Sequence, residues 1–453
     1  MILKASKSPE CTKQKTEVLK SFLRISRFIK FMNYTNSKAF AEAQDQTDPL
    51  RRFRKEFHFP IDANGSPKIY LCGNSLGLQP KQTQAYVQQE LDDWARFGVE
   101  GHTDAKTPWL TSHEDLSAPM AKIVGAQPEE VVIMNTLTVN LHLMMVSFYQ
   151  PTSKKFKILI ESDAFPSDKY AVESQLKFHN IDPKEGLILW KPRAGEHLCR
   201  QEDFEDLIDQ HKEELALVMV GSTNYYSGQA YDLKQIARRC QEEQITFGVD
   251  LAHGAGNIQP NLHDIGADFA VWCTYKYLNS GPGSLGGCFV HEKHLKNKSL
   301  NRFVGWWGHH KDSRFNMRVD FDPTPTADGW QLSNPPILSL AGTRSSLNLF
   351  EQAGFDKLRE KSIKLTGFLE FLIDEIQQDG ISILTPPAPE ERGCQLSIQM
   401  KNAKRSLFDE LTKKGVVADW REPDVIRIAP TPLYNSFTDV YNFVQRLKHC
   451  LND

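Results

Sequence analysis

The chain has 453 residues, 40% of them hydrophobic and 25% charged, with a formal net charge of −3. That length supports about two to three domains, and the near-neutral balance argues against a nucleic-acid partner, which would show as a strongly basic face. No apolar run reaches the ~18 residues a membrane span needs. The eight cysteines are scattered without a CxxC pair, as expected of reduced thiols in the cytoplasm, and the fourteen histidines show no HExxH or comparable spacing, so no metal site is expected.

Residues 1–33 stand apart. Six Lys and two Arg against two Glu give them a net charge of +6. Phe22, Ile25, Phe28, Ile29 and Met32 share one helical face, as in a mitochondrial targeting helix, but such helices are usually richer in Arg and Ser. A poorly ordered extension over 1–36 is therefore the expectation. Ser37–Phe57 reads as a helix within a helical segment spanning 37–66. KIYLCGNSLGLQP (68–80) is a strand breaking into a glycine-punctuated turn. Gly73, Asn74, Ser75 and Gly77 there either let a ligand approach the backbone or simply close a tight turn. An amphipathic helix follows over Lys81–Phe97, then a loop, GHTDAKTPWL (101–110), with an isolated His102.

At 131–149 the pattern is VVIMN, then TLTVNLHLMMVSFY: a short apolar strand, a Thr/Asn turn and a largely buried helix. Thr136 or Thr138 can cap that helix, and a helix N-terminus with a hydroxyl is also an anion seat. FKILIESDAFPSDKYAVESQL (156–176) repeats the unit, with Phe165, Pro166, Ser167 and Asp168 at the carboxyl edge and Ser167 or Asp168 as the cap. Strands at 187–191 and 215–222 alternate with helices near 202–213 and 233–244. This alternation implies a parallel sheet with helices on both faces, within a large domain over 67–335. Neither GxGxxG nor GxSxG occurs at a strand end, so neither a dinucleotide fold nor a serine-hydrolase elbow is indicated.

The stretch Phe247–Gly287 carries the most chemistry. Ile245–Val249 and Phe269–Cys273 read as buried strands, the first ending in Asp250 with His253 just after, the second in Tyr275 and Lys276. In open α/β sheets the ligand crevice lies outside such carboxyl ends. Two readings stand for Lys276. It escapes to solvent from a loop, or it forms a Schiff base, a role in which burial and neighbouring cations lower a lysine's pKa. The cofactor that uses such a lysine and also wants a carboxylate at its ring nitrogen is pyridoxal phosphate, and Asp250 can supply that carboxylate.

Asn301–Asn334 is irregular and aromatic, with Trp306 and Trp307, and a loop this long suits function or an oligomer interface. From 336 to 453 the architecture changes to a long helix (Ser339–Phe350, then Asp356–Gln378) and a smaller α+β unit. Its strands are ISILTP, CQLSIQM, VVADW and VIRIAP, with helices at 405–414 and 438–451. In VIRIAP, Arg427 is either the exposed side of a half-buried strand or a clamp for a substrate carboxylate in the interdomain cleft.

Taken together, LCGNSLGLQPK, MNTLTVNLHLMMVSF, AFPSDKYAVESQL, NYYSGQAYD, GVDLAHGAGN, WCTYKYLNSGPG, VGWWGH, LSNPPIL, EERGCQLSI and IRIAPTPLYNSF resemble the kynureninase family, in order, over about residues 40–450. The resemblance implies an aspartate-aminotransferase-like α/β fold of type I with a mostly parallel sheet flanked by helices and a smaller C-terminal α+β domain. It also implies hydrolysis of L-kynurenine, with pyridoxal phosphate, to anthranilate and L-alanine in tryptophan catabolism and NAD biosynthesis. Carried over by position, Lys276 holds the cofactor, Asp250 meets its ring nitrogen, and His253 lies beside it. Leu137, Thr138, Phe165, Pro166, Ser167, Asp168 and Tyr275 surround it, and Trp306 and Asn334 reach in from the second subunit of a homodimer. Ser75, His102, Ser333 and Arg427 meet the substrate, and Tyr226 serves as proton donor at its carbonyl. Gly221 and Ser222 depart from the family's usual serine–glycine order, which leaves a hydroxyl contact there open. The rivals are an aminotransferase or cysteine desulfurase and a non-catalytic relative. A desulfurase needs a mobile cysteine, and 333–346 contains none; a non-catalytic relative would have lost Lys276 or Asp250, and both are present.

Overall fold

The chain's apolar runs are short and β-branched, and they pair side by side rather than coil. A computed structural model describes residues 33–401 and 403–452, so the expectations for the basic extension lie outside it up to residue 32. After a two-residue strand, β1 (Ile69–Tyr70), seven runs build the central sheet. They are β2 (Val131–Met134), β3 (Lys157–Glu161), β4 (Leu187–Trp190), β5 (Leu215–Gly221), β6 (Thr246–Asp250), β7 (Phe269–Cys273) and β8 (Gly286–Val290). Their order is β2-β8-β7-β6-β5-β3-β4, parallel from β7 to β4, with β8 antiparallel to both its neighbours. β8 therefore fills a place inside the sheet, and β2 and β4 form its edges.

Alternate residues of each strand enter two cores. Ile158, Ile160, Leu217, Met219 and Val271 face the helices Leu137–Phe148 and Pro166–Phe178. Leu159, Val218, Val220, Val249 and Trp272 face the other way, toward Glu114–Val124, Gln201–His211 and Leu233–Glu242. Period-two side chains, buried on both faces, are what a covered parallel sheet demands. Each such side chain, fully buried, contributes roughly 1.5–3 kcal/mol.

The smaller unit is a four-stranded antiparallel sheet, β9 (Ile381–Ile383), β10 (Leu396–Met400), β12 (Asp419–Arg421) and β13 (Val425–Ile428), in the order β12-β13-β10-β9. A further strand, β11 (Val416–Val417), pairs in parallel with β1. The chain thus visits the small unit first, crosses to the large sheet, and returns. The early helix Lys38–Thr47 belongs to the same packing: Asp45 accepts from Phe437 N at 2.7 Å and Thr438 N at 3.0 Å, capping the C-terminal helix Phe437–Asn452. The helix expected to run to Phe57 stops at Asp48 and resumes as a 3₁₀ stretch, Arg51–Glu56. Pro49 explains the break, since the residue before a proline is driven out of the helical region and Asp48 sits at ψ 115°. The loop expected at 101–110 begins with a helical turn, Gly101–Asp104. No described helix is long and apolar enough to cross a membrane.

Candidate active site

β6 and β7 are neighbours, so Asp250 and the Tyr275–Lys276 pair emerge side by side at the carboxyl edge. The turn beyond β7 is held firmly. Thr274 Oγ1 meets Ser284 Oγ at 2.8 Å, Ser280 N donates to Thr274 O at 3.0 Å, and Gly77 N donates to Tyr275 O at 2.8 Å. A Cβ at Gly77 would lie 2.4 Å from Lys276 O, so only glycine lets the 73–77 turn pack against the lysine's backbone. That accounts for the turn as a support for Lys276. Ser75 itself stays off the cavity wall.

A cavity of about 170 Å³ opens at this edge, walled by Leu137, Thr138, Phe165, Ser167, Asp168, Asp250, His253, Tyr275 and Lys276. Lys276 Nζ lies 3.1 Å from His253 Nε2 and 5.9 Å from the centre of the Phe165 ring. Burial, reinforced by the Lys276 charge, holds His253 well below the ordinary histidine range. Its neutral ring accepts from the ammonium through Nε2, which leaves Nδ1 buried without a partner. Asp250 accepts from Ala252 N and from the carboxyl of Asp168. Burial raises both acids; Asp168 stands well above the carboxylate range because it also faces the Asp250 charge. Asp168 therefore keeps its proton and Asp250 carries the negative charge. Burial also raises the phenol of Tyr275, which stays protonated.

Thr138 Oγ1 and Ser167 Oγ meet at 2.9 Å, joining the first turns of the helices Leu137–Phe148 and Pro166–Phe178. Neither helix has a side-chain N-cap: Thr136 and Phe165 occupy the cap positions without such a bond. The capping roles expected of Thr136, Thr138, Ser167 and Asp168 are not taken up, and two amide-rich helix ends, joined by the Thr138–Ser167 hydroxyl pair, converge on the cavity. Pro166 is the first residue of its helix, where its missing N–H costs nothing.

Other expected residues lie elsewhere. His102 Nδ1 donates to Val99 O at 2.8 Å, and the ring packs edge-on against Trp109. Ser333 and Asn334 are exposed, and Asn334 accepts from Trp306 Nε1 at 3.1 Å. Trp306 is 43% exposed, whereas its neighbour Trp307 is buried beneath Arg314, 4.2 Å from its ring centre. Arg427 is 1% exposed, which overturns its reading as the outer face of a half-buried strand. β13 is an inner strand of its sheet, and all four of its residues are buried.

Glu161 and Tyr225 stand in the cavity wall and were not anticipated. Glu161 ends β3 in the cavity wall and accepts from Gly221 N at 3.0 and 3.3 Å; burial pushes its carboxyl up to about 7. The same strand-end logic that singled out Asp250 would have found it in KILIE. Tyr225, not Tyr226, stands in the wall. Asn224 Oδ1 accepts from Tyr226 N and Ser227 N at 2.9 Å each, and this turn swings Tyr225 edge-on to Phe165. Ser222 Oγ packs against Gly254, away from the wall, while Gly221 lines it. At the opposite edge of the sheet Glu130, His263 and His291 form a group of possible metal ligands. Glu130 is satisfied there without an ion, by His263 Nδ1 at 2.9 Å and by Glu292 N and Gln127 N at 2.8 Å each.

The fold is that of known cofactor enzymes. The apo cysteine desulfurase of Thermococcus onnurineus NA1 superposes with a TM-score of 0.71 at 15% identity, covering 91% of this chain and 98% of that one. A variant of the lyase C-DES with glycine covalently linked to its PLP cofactor gives 0.72 at 17% identity, covering 87% and 98%. Likeness at this identity carries the fold alone. Joined to the lysine, the buried carboxylate and the two bare helix ends, the fold defines a pyridoxal-phosphate enzyme of fold type I, and the cofactor fits these residues. A model of the kynureninase C-terminal domain matches residues 358–447. Kynureninase of Myxococcus xanthus (strain DK1622) is 54% identical over 415 residues, 92% of this chain and 97% of its own. That of Koribacter versatilis (strain Ellin345) is 50% identical over 419 residues, covering 92% and 99%. The chain belongs to the kynureninase family, whose reaction is the hydrolysis of kynurenine at its Cβ–Cγ bond.

Proposed function

We propose that the cavity at the ends of β6 and β7 hydrolyses L-kynurenine, and 3-hydroxy-L-kynurenine with it, to the anthranilate product and L-alanine. The observation that carries this reading is Lys276 Nζ held 3.1 Å from a neutral His253, beside a charged, buried Asp250. Lys276 would anchor the cofactor's aldehyde, Asp250 its ring nitrogen, and the Thr138–Ser167 pair with Leu137 its phosphate. Phe165 and His253 would take the faces of its ring. Pyridoxal phosphate, when bound, supplies an electron sink for bonds broken at the substrate's carbons.

The residues then divide the work. Asp168, protonated, keeps the charge on Asp250 in place. Lys276 Nζ would be the base at the substrate's Cα. Tyr226 was expected to polarise the γ-carbonyl. Two phenols, Tyr225 and Tyr275, stand in the cavity wall; Tyr275, whose ring centre lies 6.0 Å from Lys276 Nζ, is the donor we assign to that oxygen. A water directed at the same carbonyl completes the cleavage. Arg427 holds the substrate carboxylate. Trp306 and Asn334, paired with one another on the surface, would complete the cofactor site of a second copy, together with His102 and Ser333 on the substrate side. Exposed Phe303, Phe315 and Met317 nearby support a homodimer. The free thiols among the described residues support a cytoplasmic location.

The test is product identity. Cofactor-loaded protein should absorb at about 420 nm and release anthranilate and alanine from kynurenine in equal amounts. Amino transfer without anthranilate would overturn the reading.

A further inference from the structure

Arg427 needs a reason to sit buried. It lies directly across the β12–β13 ladder from Asp419, as a registered cross-strand pair. Its Nε donates to Asp419 Oδ1 at 2.9 Å, and its Nη2 lies 2.8 Å from Oδ2, a bidentate pair on one side of the guanidinium. Its Nη1 donates to Tyr225 O at 2.7 Å. A guanidinium has five N–H groups. Three are committed, which leaves one on Nη1 and one on Nη2, the two that a carboxylate accepts together.

Arg421, two residues along β12 from Asp419, is the second cation. Its Nε lies 2.8 Å from Asp419 Oδ1 and its Nη2 donates to Oδ2 at 3.2 Å. Both guanidiniums lean toward the Tyr225 ring, Arg421 at 5.7 Å and Arg427 at 5.9 Å from its centre. Tyr225 lines the cofactor cavity, so the group stands against the wall behind which the substrate lies. Two arginines and one aspartate carry a net single positive charge, the complement of one carboxylate. A buried cation with no fixed counter-charge would be strongly disfavoured whenever the site is empty. One with both forks occupied could not bind.

We propose that Asp419 is a positioning residue for substrate recognition. It fixes the side of Arg427, keeps that cation buried between turnovers, and presents its remaining two N–H groups to the α-carboxylate. This rests on the reading of Arg427 as the carboxylate clamp.

The test sets L-kynurenine beside the amine that lacks its α-carboxylate, used as a competitive inhibitor. Wild type, Asp419→Asn, Asp419→Ala and Arg427→Ala are compared as cofactor-loaded proteins, with folding checked by thermal melting and the cofactor band. Both Asp419 variants should raise KM for kynurenine by about tenfold to a hundredfold, the worth of a charge-assisted contact or two, with kcat changed about threefold or less. The inhibition constant of the amine should stay within about threefold, because the amine never meets Arg427. A purely structural role would shift both ligands together. If Arg427→Ala spares the preference for the carboxylate, the clamp reading fails. If Arg427→Ala loses that preference while folded Asp419 variants keep it, the clamp stands and the positioning role fails. Should neither Asp419 variant fold with its cofactor, Asp419 is a structural residue and the proposal is overturned.

Discussion

The cavity at the ends of β6 and β7 and the aromatic segment 301–334 carry residues expected in one active site, yet they are built in opposite ways. At the strand ends a single chain supplies the amine, the charged carboxylate, its protonated neighbour and the bare helix ends around one cavity, with Asp250, Asp168 and His253 buried and Lys276 half-buried against His253. The aromatic segment is pinned by buried Trp307 and Trp330, each under an arginine, while Trp306 and its partner Asn334 face outward. Buried groups can shift one another's proton affinities; exposed ones wait for a surface to cover them. In the homodimer proposed above, the difference would separate a preassembled chemical centre from a contribution offered to another copy.

The largest effect should come from the preassembled half. Changing Lys276 to Arg keeps the charge but removes the primary amine, and kynurenine turnover should fall below detection in a fluorescence assay for anthranilate. Next comes the phenol. Tyr275→Phe should lower kcat by about 10²–10⁴-fold, the usual worth of a positioned proton donor, while Tyr226→Phe should cost less than about tenfold. The reverse order in steady-state rates would return the role to Tyr226.

The smallest effect concerns Glu161, whose carboxyl is pushed up to about 7 by burial, against about 4.3 in an unfolded chain. Between these values the folded protein keeps a proton that the unfolded chain has shed. That stabilisation is full below about pH 4 and is lost as pH rises through 7. Glu161→Gln has no such dependence. Its stability relative to wild type should therefore rise by on the order of 2–3 kcal/mol between pH 5 and pH 8, read from urea unfolding of cofactor-free protein. An unchanged difference would mean that Glu161 is not the buried acid described. No matching pH effect is expected from substitutions at exposed Trp306.

The sheet and the chemical centre were legible because their signals are local. Each apolar run ends in its own polar residue, and Asp250 and Lys276 needed only the adjacency of two strands. What escaped depended on distant partners or on a single turn. Arg427 alternates with Ile426 and Ile428 as an exposed residue would, but Asp419 and Tyr225 neutralise and bury it. The choice between Tyr225 and Tyr226 hangs on Asn224 accepting two backbone N–H groups. β1 falls in the stretch read as the start of the large domain, but it pairs with β11, more than three hundred residues later. No pattern within either stretch encodes that pairing.

Mixing two inactive chains tests the division most directly. Lys276→Ala lacks the centre, and Trp306→Ala combined with Asn334→Ala lacks the part offered across. Each should be inactive alone. Unfolded and refolded together in equal amounts, they should regain about a quarter of wild-type turnover, because half the dimers would be mixed and each of those would hold one intact site. A mixture as inactive as its parents, with mixed dimers present, would contradict the account and put all of the active site within one chain.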